Sequence, residues 1–230
     1  GGVTYRHVLG KARLTEKRIV VKDLMAEVCG GSLSGEIEVG RRRGDQNGRV
    51  PIQATLQGDS LDVNCVVEEG LDWAVPIFGR MEVLVSVSGS PDSTGLEVRG
   101  QLRMREGEIT NWHILETLVS EVPQAGFVDF RGIPLHDLRA SFRLTGEKMV
   151  LDDLHVRAAG IPCRLRGSTG VQGDLDYVLD AEIPISEVNI GGLSLGRTFG
   201  ALFGTEVIPV SVQITGSSSD PKIVLRPRGG

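Results

Sequence analysis

The sequence predicts an all-β protein: an elongated, curved antiparallel sheet, or β-groove, with an apolar inner face and one or two short helices. Two runs carry most of that prediction. Leu138-Arg139-Ala140-Ser141-Phe142-Arg143-Leu144 and Leu175-Asp176-Tyr177-Val178-Leu179-Asp180-Ala181-Glu182-Ile183 place apolar residues on alternate positions. Strand side chains point to opposite faces with period two, so each run makes one face apolar and leaves the other wet. Leu175, Tyr177, Leu179, Ala181 and Ile183 share one face; Asp174, Asp176, Asp180 and Glu182 share the other, with Val178 the exception. An antiparallel sheet with one apolar side has this pattern. The third observation is glycine: 31 residues, mostly between apolar runs, where turns and bulges use them.

Taken in order, Tyr5 to Leu9 and Ala12 to Leu14 read as a strand broken at Gly10, and Arg18 to Lys22 as the next. Met25 to Cys29 follows, then Gly30-Gly31, then Ser32 to Val39, in which Leu33, Ile37 and Val39 oppose Ser34, Glu36 and Glu38. Residues 41–49 make a polar hairpin loop whose Asn47-Gly48 is a strong turn signal. Its triple Arg is either a solvated loop or a contact for anionic lipid. Val50, Ile52, Ala54 and Leu56 alternate; Asp62 to Val67, Met81 to Val87 and Leu96 to Met104 are further strands, with a turn from Ser88 to Gly95. Asn111 is a good N-cap for a helix over 111–122, in which Trp112, Leu115, Leu118, Val119 and Val122 recur at helical spacing before Pro123 stops it. That helix either packs on the apolar face or plugs one end of a groove. Gly191 to Gly204 holds a short helix at most; its Gly196, Gly200 and Gly204 give a smooth face, in a segment too short to span a bilayer. Ile208 to Thr215 alternates again, and Lys222 to Leu225 is the last strand.

A repeat emerges. Gly10 to Leu24 is matched at an offset of 90 by Gly100 to Ile114, and at 130 by Ala140 to Leu154. Arg13, Arg103 and Arg143 coincide, as do Leu14, Met104 and Leu144, and Ile19, Ile109 and Met149. Each copy reads as a strand, a short polar turn and a second strand. None can bury its apolar face alone, so the copies are expected to join into one continuous sheet.

Composition narrows the function classes. A net charge of -5 with aromatics at 4% leaves no basic footprint and no stacking platform for nucleic acid. The cysteines are Cys29, Cys65 and Cys163; the odd number leaves at least one unpaired, and there is no Cys-x-x-Cys. They read as small buried hydrophobes, with a Cys29–Cys163 or similar bridge as the alternative. No apolar run reaches the length of a membrane helix, and no signal peptide opens the chain. Starting Gly1-Gly2-Val3 without Met, the chain reads as an excised segment whose targeting information lies elsewhere.

Catalytic and cofactor signatures were sought. Gly192-Leu193-Ser194-Leu195-Gly196 fits the Gly-x-Ser-x-Gly nucleophile elbow, but His7, His113, His136 and His155 all precede Ser194, whereas that fold places its His last. Asp152-Asp153-Leu154-His155 offers metal-ligand types, yet neighbouring strand residues point to opposite faces, so the two carboxylates are not expected to converge; the repeat equivalent Lys22-Asp23 suggests a turn or the start of a strand. Zinc spacing and a phosphate loop are lacking. The expectation is a protein that is not an enzyme and takes no cofactor or metal.

The succession of Glu106-Gly-Glu-Ile109, a helix, the Leu138–Leu144 strand, Met149-Val-Leu-Asp-Asp-Leu154 and Leu165-Arg-Gly-Ser168 resembles the C-terminal region of AsmA-like proteins. So does the close, Ile208 to Leu225, with its Gly turn and Asp220-Pro-Lys222; Gly30-Gly-Ser-Leu-Ser-Gly35 is similar to an AsmA-type repeat. The resemblance implies an N-terminal β-repeat over 1–95 and a C-terminal β-region over 96–230 containing the 111–122 helix. It implies a curved sheet at the periplasmic face of the bacterial inner membrane, tethered through a segment absent from this chain. The family is associated with phospholipid transport between inner and outer membrane and with envelope biogenesis. The expected ligand is phospholipid acyl chains, with envelope or outer-membrane assembly proteins as further partners and no nucleic acid. The lining expected of such a groove is Phe142, Leu144, Val156, Tyr177, Leu179, Ala181, Val210 and Val212. The alternative is a structural or protein-interaction β-domain, a sandwich whose second sheet closes the core.

Overall fold

The computed structural model describes residues 3–40, 50–70, 77–90, 95–110, 132–146, 148–170, 173–184, 189–190, 193–194, 207–217 and 220–226. Twelve strands form one open antiparallel sheet: β1 (Tyr5–Leu14), β2 (Arg18–Val28), β3 (Gly31–Gly40), β4 (Ile52–Asp62), β5 (Ile77–Gly89), β6 (Glu97–Ile109), β7 (Ile133–Thr145), β8 (Lys148–Ala158), β9 (Ile161–Gly170), β10 (Asp174–Pro184), β13 (Val207–Ser217) and β14 (Asp220–Arg226). Their spatial order is their chain order. The two-residue strands β11 (Asn189–Ile190) and β12 (Leu193–Ser194) pair separately. The sheet is curved and not closed into a barrel, and among the described residues no second sheet of similar size faces it. The accessible surface is 15145 Å²; a compact monomer of this mass would expose roughly 10,000 Å².

Alternation in each strand and straight registers between them give one face to apolar side chains across the sheet. One row runs Leu24, Gly35, Leu56, Val85, Gly100, Phe142, Leu151, Gly167, Tyr177, Ile214, Ile223, each residue the register partner of the next. The neighbouring row runs Ala26, Leu33, Gly58, Val83, Leu102, Ala140, Leu154, Leu165, Leu179, Val212. Register holds because a slip of one residue would move every apolar side chain to the wet face.

The registers are interrupted by bulges, each with two residues taking one polar-face position between two apolar ones. They include Val21-Lys22-Asp23-Leu24, Gly58-Asp59-Ser60-Leu61, Leu135-His136-Asp137-Leu138, Leu151-Asp152-Asp153-Leu154 and, opposite Arg80, Met104-Arg105-Glu106-Gly107. Three carry a positive φ: Asp23, Ser60 and Asp137. Such bulges bend a strand and increase its twist.

The repeat at offset 130 is strict. Arg18–Val28 and Gly31–Gly40 correspond, residue for residue, to Lys148–Ala158 and Ile161–Gly170. The bulge recurs at the same place, and so does the two-residue turn with both φ positive, Cys29-Gly30 in one copy and Ala159-Gly160 in the other. The copy at offset 90 is not a hairpin. β6 continues through Glu106-Gly107-Glu108: Gly107 and Glu108 pair with Gly79 and Phe78 of β5 on one side, and all three pair with His136, Leu135 and Pro134 of β7 on the other. Extended partners on both sides leave no room for a turn there.

Other boundaries are also corrected. β1 is continuous through Gly10, with register shifts at Arg6/Leu9 and Leu9/Lys11. Arg18 to Val28 is one strand, its two expected halves joined by the bulge. The strand expected over Asp62–Val67 is instead a helical turn, α1 (Val63–Cys65), continued by a π-type turn over Val66–Gly70. Asp62 ends β4 and caps α1, its carboxylate accepting from the Cys65 N–H at 3.1 Å, as short acidic side chains do at an N-cap. The expected loop 41–49 and helix 111–122 lie outside the described residues, as does all of Gly191–Gly204 except 193–194.

Candidate functional site

The apolar face is the candidate site, and its burial is uneven. Over β2 to β8 it forms a tight cluster of Val28, Leu61, Val63, Met81, Met104, Ile133, Leu135 and Leu138, with Met104 and Leu135 each only 2% exposed. Over β9 to β14 the buried set shrinks to Tyr177, Val212 and Ile214, flanked by half-buried Leu151, Leu165, Leu175, Leu179, Val210 and Ile223. Apart from Ala26, buried at 7% exposed, most of the other apolar side chains on the face are half-buried or exposed; Leu144, at its margin, is 39% exposed.

Three glycines in the first row let large neighbours lie flat. A Cβ on Gly35 would stand 2.9 Å from the Leu56 side chain, on Gly100 it would enter the Phe142 ring, and on Gly167 it would meet Tyr177 at 2.7 Å. Phe142 and Tyr177 therefore fold over glycine instead of projecting. Tyr177 makes a 2.6 Å hydroxyl contact with Thr169. Burial raises the Tyr177 pKa, against that hydrogen bond. The free thiol of Cys163, on the same face, is raised by burial as well. Both stay neutral, as an apolar surface requires.

The expected lining residues fall on this one face. Phe142 and Tyr177 share the glycine row, and Leu179 and Val212 are partners in the next. Val156, Cys163, Ala181 and Val210 follow one another in a third. Val156 packs on the first cluster, Leu179 and Val210 on the second. Leu144 pairs with Val98 and Met149 near the other strand ends.

The sequence reading missed the clasp at one margin. Cys29 and Cys65 form a disulfide with Cα atoms 5.5 Å apart, which corrects their reading as small buried hydrophobes; the alternative of a bridge from Cys29 holds, with Cys65 and not Cys163 as the partner, and Cys163 is the free thiol. The Cys29-Gly30 turn and the end of β4 meet because β4 runs past β3 after its Asp59-Ser60 bulge. Asp62 N–H then donates to Cys29 O at 2.9 Å, and Arg80 Nη1 donates to Gly30 O at 2.9 Å and to Ser60 O at 2.8 Å. The bridge ties down the turn whose Val63, Val66 and Val67 pack into the cluster that contains Leu61, Met81 and Met104. Glu69 brings a carboxylate oxygen within 4.8 Å of both sulfurs; this is the one trio of metal-donor types among the described residues, and two of its members are spent in the disulfide.

The opposite face is charged. The bulge puts both Asp152 and Asp153 on it, contrary to the expectation that they diverge. They take separate partners: Asp152 accepts two bonds from Arg143, at 2.6 and 2.9 Å, while Asp153 accepts from Arg164 at 2.7 Å and lies 2.7 Å from His155 Nε2. The Arg143 hydrogen bonds hold the Asp152 carboxyl below its usual range, and those of Arg164, then His155, do the same for Asp153. Two open depressions of about 480 and 530 Å³ lie on this face over β4–β8, walled by groups such as Gln101, Arg103, Arg139 and Ser141. They are shallow dips between exposed side chains; the second also reaches Val83, Leu102 and Ala140, which pack against the apolar cluster. Of the nucleophile-elbow pattern only Leu193–Ser194 is described, in β12. No described helix is long and apolar enough to cross a membrane.

Comparison with protein-family models, with curated proteins and with solved structures gives no match.

Proposed function

We propose that this chain is an AsmA-like module whose apolar sheet face accommodates phospholipid acyl chains, contributing to lipid movement between bacterial inner and outer membranes and to envelope biogenesis. The reading makes it a non-catalytic carrier surface at the periplasmic face of the inner membrane. One observation carries it: the apolar rows run in register from β2 to β14, with no second sheet of similar size over them among the described residues. At strand spacing the rows extend about 50 Å, whereas an acyl chain spans half of a bilayer core of roughly 30 Å. Each methylene leaving water contributes about 0.8 kcal/mol, and an apolar wall needs no particular polar group to accept it. The disulfide supports an oxidising compartment.

A second reading, strand-mediated protein contact, draws on β1. This edge strand is exposed along its whole length, with Tyr5, Val8, Leu9 and Leu14 among its solvent-facing residues. Such edges pair readily with other chains.

The test is native mass spectrometry with lipid extraction on protein purified from bacteria, paired with uptake of a fluorescent phospholipid from vesicles. Bound phospholipid that is lost in Leu144→Glu/Leu179→Glu, with far-UV circular dichroism unchanged, supports the lipid reading. A clean protein mass with no uptake overturns it in favour of an interaction domain.

A further inference from the structure

We infer that the Cys29–Cys65 disulfide is a releasable clasp, and that its reduction lifts the 63–70 turn and uncovers additional acyl-chain-binding surface on Leu61, Met81 and Met104. The inference rests on the apolar-groove reading above and adds a control element to it.

The covering turn is small and weakly held. It comprises three residues of α-helix and five of π-type turn, far below the dozen or so residues at which an isolated helix becomes even marginal in water. Besides the disulfide and the turn's own backbone bonds, its polar ties among the described residues include the Asp62 cap, the Asp62 N–H to Cys29 O bond and an exposed Asn64–Glu68 contact at 3.2 Å. Its apolar contribution is Val63, buried at 6% exposed, with Val66 and Val67 half-buried beside it. It packs into a deeply buried part of the face, the cluster in which Leu61 is 4% exposed, Met81 3% and Met104 2%. The second copy of the hairpin shows that the turn itself needs no clasp. Ala159-Gly160 adopts the same two positive φ angles with open space around Gly160. Both bridged cysteines are only half-buried.

The chemistry balances with a small dithiol as the reductant. One of its thiolates attacks a bridge sulfur, breaking the S–S bond and forming a mixed disulfide; its second thiol then displaces the protein sulfur. The bridge gains two electrons and two protons as Cys29 and Cys65 thiols, and the dithiol is oxidised to its own disulfide.

The experiment uses the full chain with Cys163→Ala, to prevent exchange, and dithiothreitol as the dithiol. Hydrogen exchange by mass spectrometry reads 61–70 and 77–83, and a fluorescent long-chain fatty acid reads new apolar surface. The expected result is at least a tenfold loss of protection over 63–70 on reduction, a several-fold rise in fatty-acid uptake, and unchanged protection in β10 and β13. Val67→Asp, which weakens the turn with the bridge intact, should raise uptake without reductant. Unchanged protection of 63–70 on reduction, or protection lost across the whole sheet, overturns the clasp. So does release of the turn with uptake equal to that of the oxidised protein. Uptake absent in every form despite release of the turn overturns the groove reading itself, and the two failures are therefore distinct.

Discussion

Residues 18–40 and 148–170 are the same hairpin built twice, with identical strand lengths, the same bulge and the same two-residue turn. They differ in what their turns touch. Cys29-Gly30 is bridged to Cys65 and roofed by Arg80, whereas Ala159-Gly160 ends in open space apart from the Ala159 N–H bond to Pro134 O at 2.9 Å. One strand pattern thus serves two ends. Where a neighbouring strand overruns its partner, the turn becomes an anchor and the face beneath it closes. Where none does, the face stays half open. The backbone repeat sets the sheet, and a few side chains at one margin decide how much of it is covered.

The largest expected effect comes from removing the anchor. Cys29→Ser/Cys65→Ser opens a loop with a sequence separation of 36 and should destabilise the chain by about 2–4 kcal/mol in urea unfolding. An equal loss of amide protection in both hairpins, instead of one centred on 18–40 and 61–70, would break the comparison. Next is Gly31, whose second-copy equivalent is Ile161. A Cβ on Gly31 would lie 2.4 Å from Asp59 O and 2.6 Å from Ser60 O, both backbone atoms. Gly31→Ala should therefore cost about 1–3 kcal/mol by overpacking, while Ile161→Ala only trims a half-buried side chain. Ala159→Gly should do the reverse and stabilise by up to about 1 kcal/mol. A left-handed φ costs a non-glycine residue roughly 1–2 kcal/mol, of which glycine's larger chain entropy takes back part. No such change can be tried at Cys29 without losing the bridge.

Much of this was legible in the residues. Alternation located most of the large strands, Ile161–Gly170 excepted, and the coincidence of Arg13 with Arg143, Leu14 with Leu144 and Ile19 with Met149 marked the true repeat. The false copy at Gly100 matched as well, because an arginine-leucine strand followed by a polar pair suits a bulged strand and a hairpin alike; only the partners on either side distinguish them. Asp152 and Asp153 were misplaced for the same reason, since strict alternation has no place for a bulge. The disulfide depends on β4 overrunning β3, a register property that no local pattern carries. The helical turn did leave a trace: Val63, Val66 and Val67 fall at helical spacing behind Asp62, a good cap. That the expected lining residues share one face followed from alternation alone, while the clasp beside Met81 and Met104 did not.

The smallest difference between the two hairpins lies in their bulge carboxylates and appears only in acid. The first copy has one, Asp23, accepting from Lys11 Nζ at 2.9 Å; that hydrogen bond, then the Lys11 charge, lowers its pKa. The second has two, Asp152 lowered first by the Arg143 hydrogen bonds and Asp153 first by that of Arg164. A carboxyl whose folded pKa lies below its unfolded value of about 3.9 adds stability that is fully present above that value. The contribution is lost as pH falls through the lowered folded pKa, because the unfolded chain then takes up protons first. Between about pH 4 and pH 2 amide protection should therefore fall further in 148–170 than in 18–40, with no difference between pH 5 and 7. These pairs are open to solvent, so roughly 1 M salt, with a Debye length of about 3 Å, should shrink the gap. Asp152→Asn/Asp153→Asn should reverse it, leaving the second hairpin insensitive to acid while Asp23 still titrates in the first. A gap of unchanged sign in that variant would assign the acid response to other carboxylates and remove the bulge from the account.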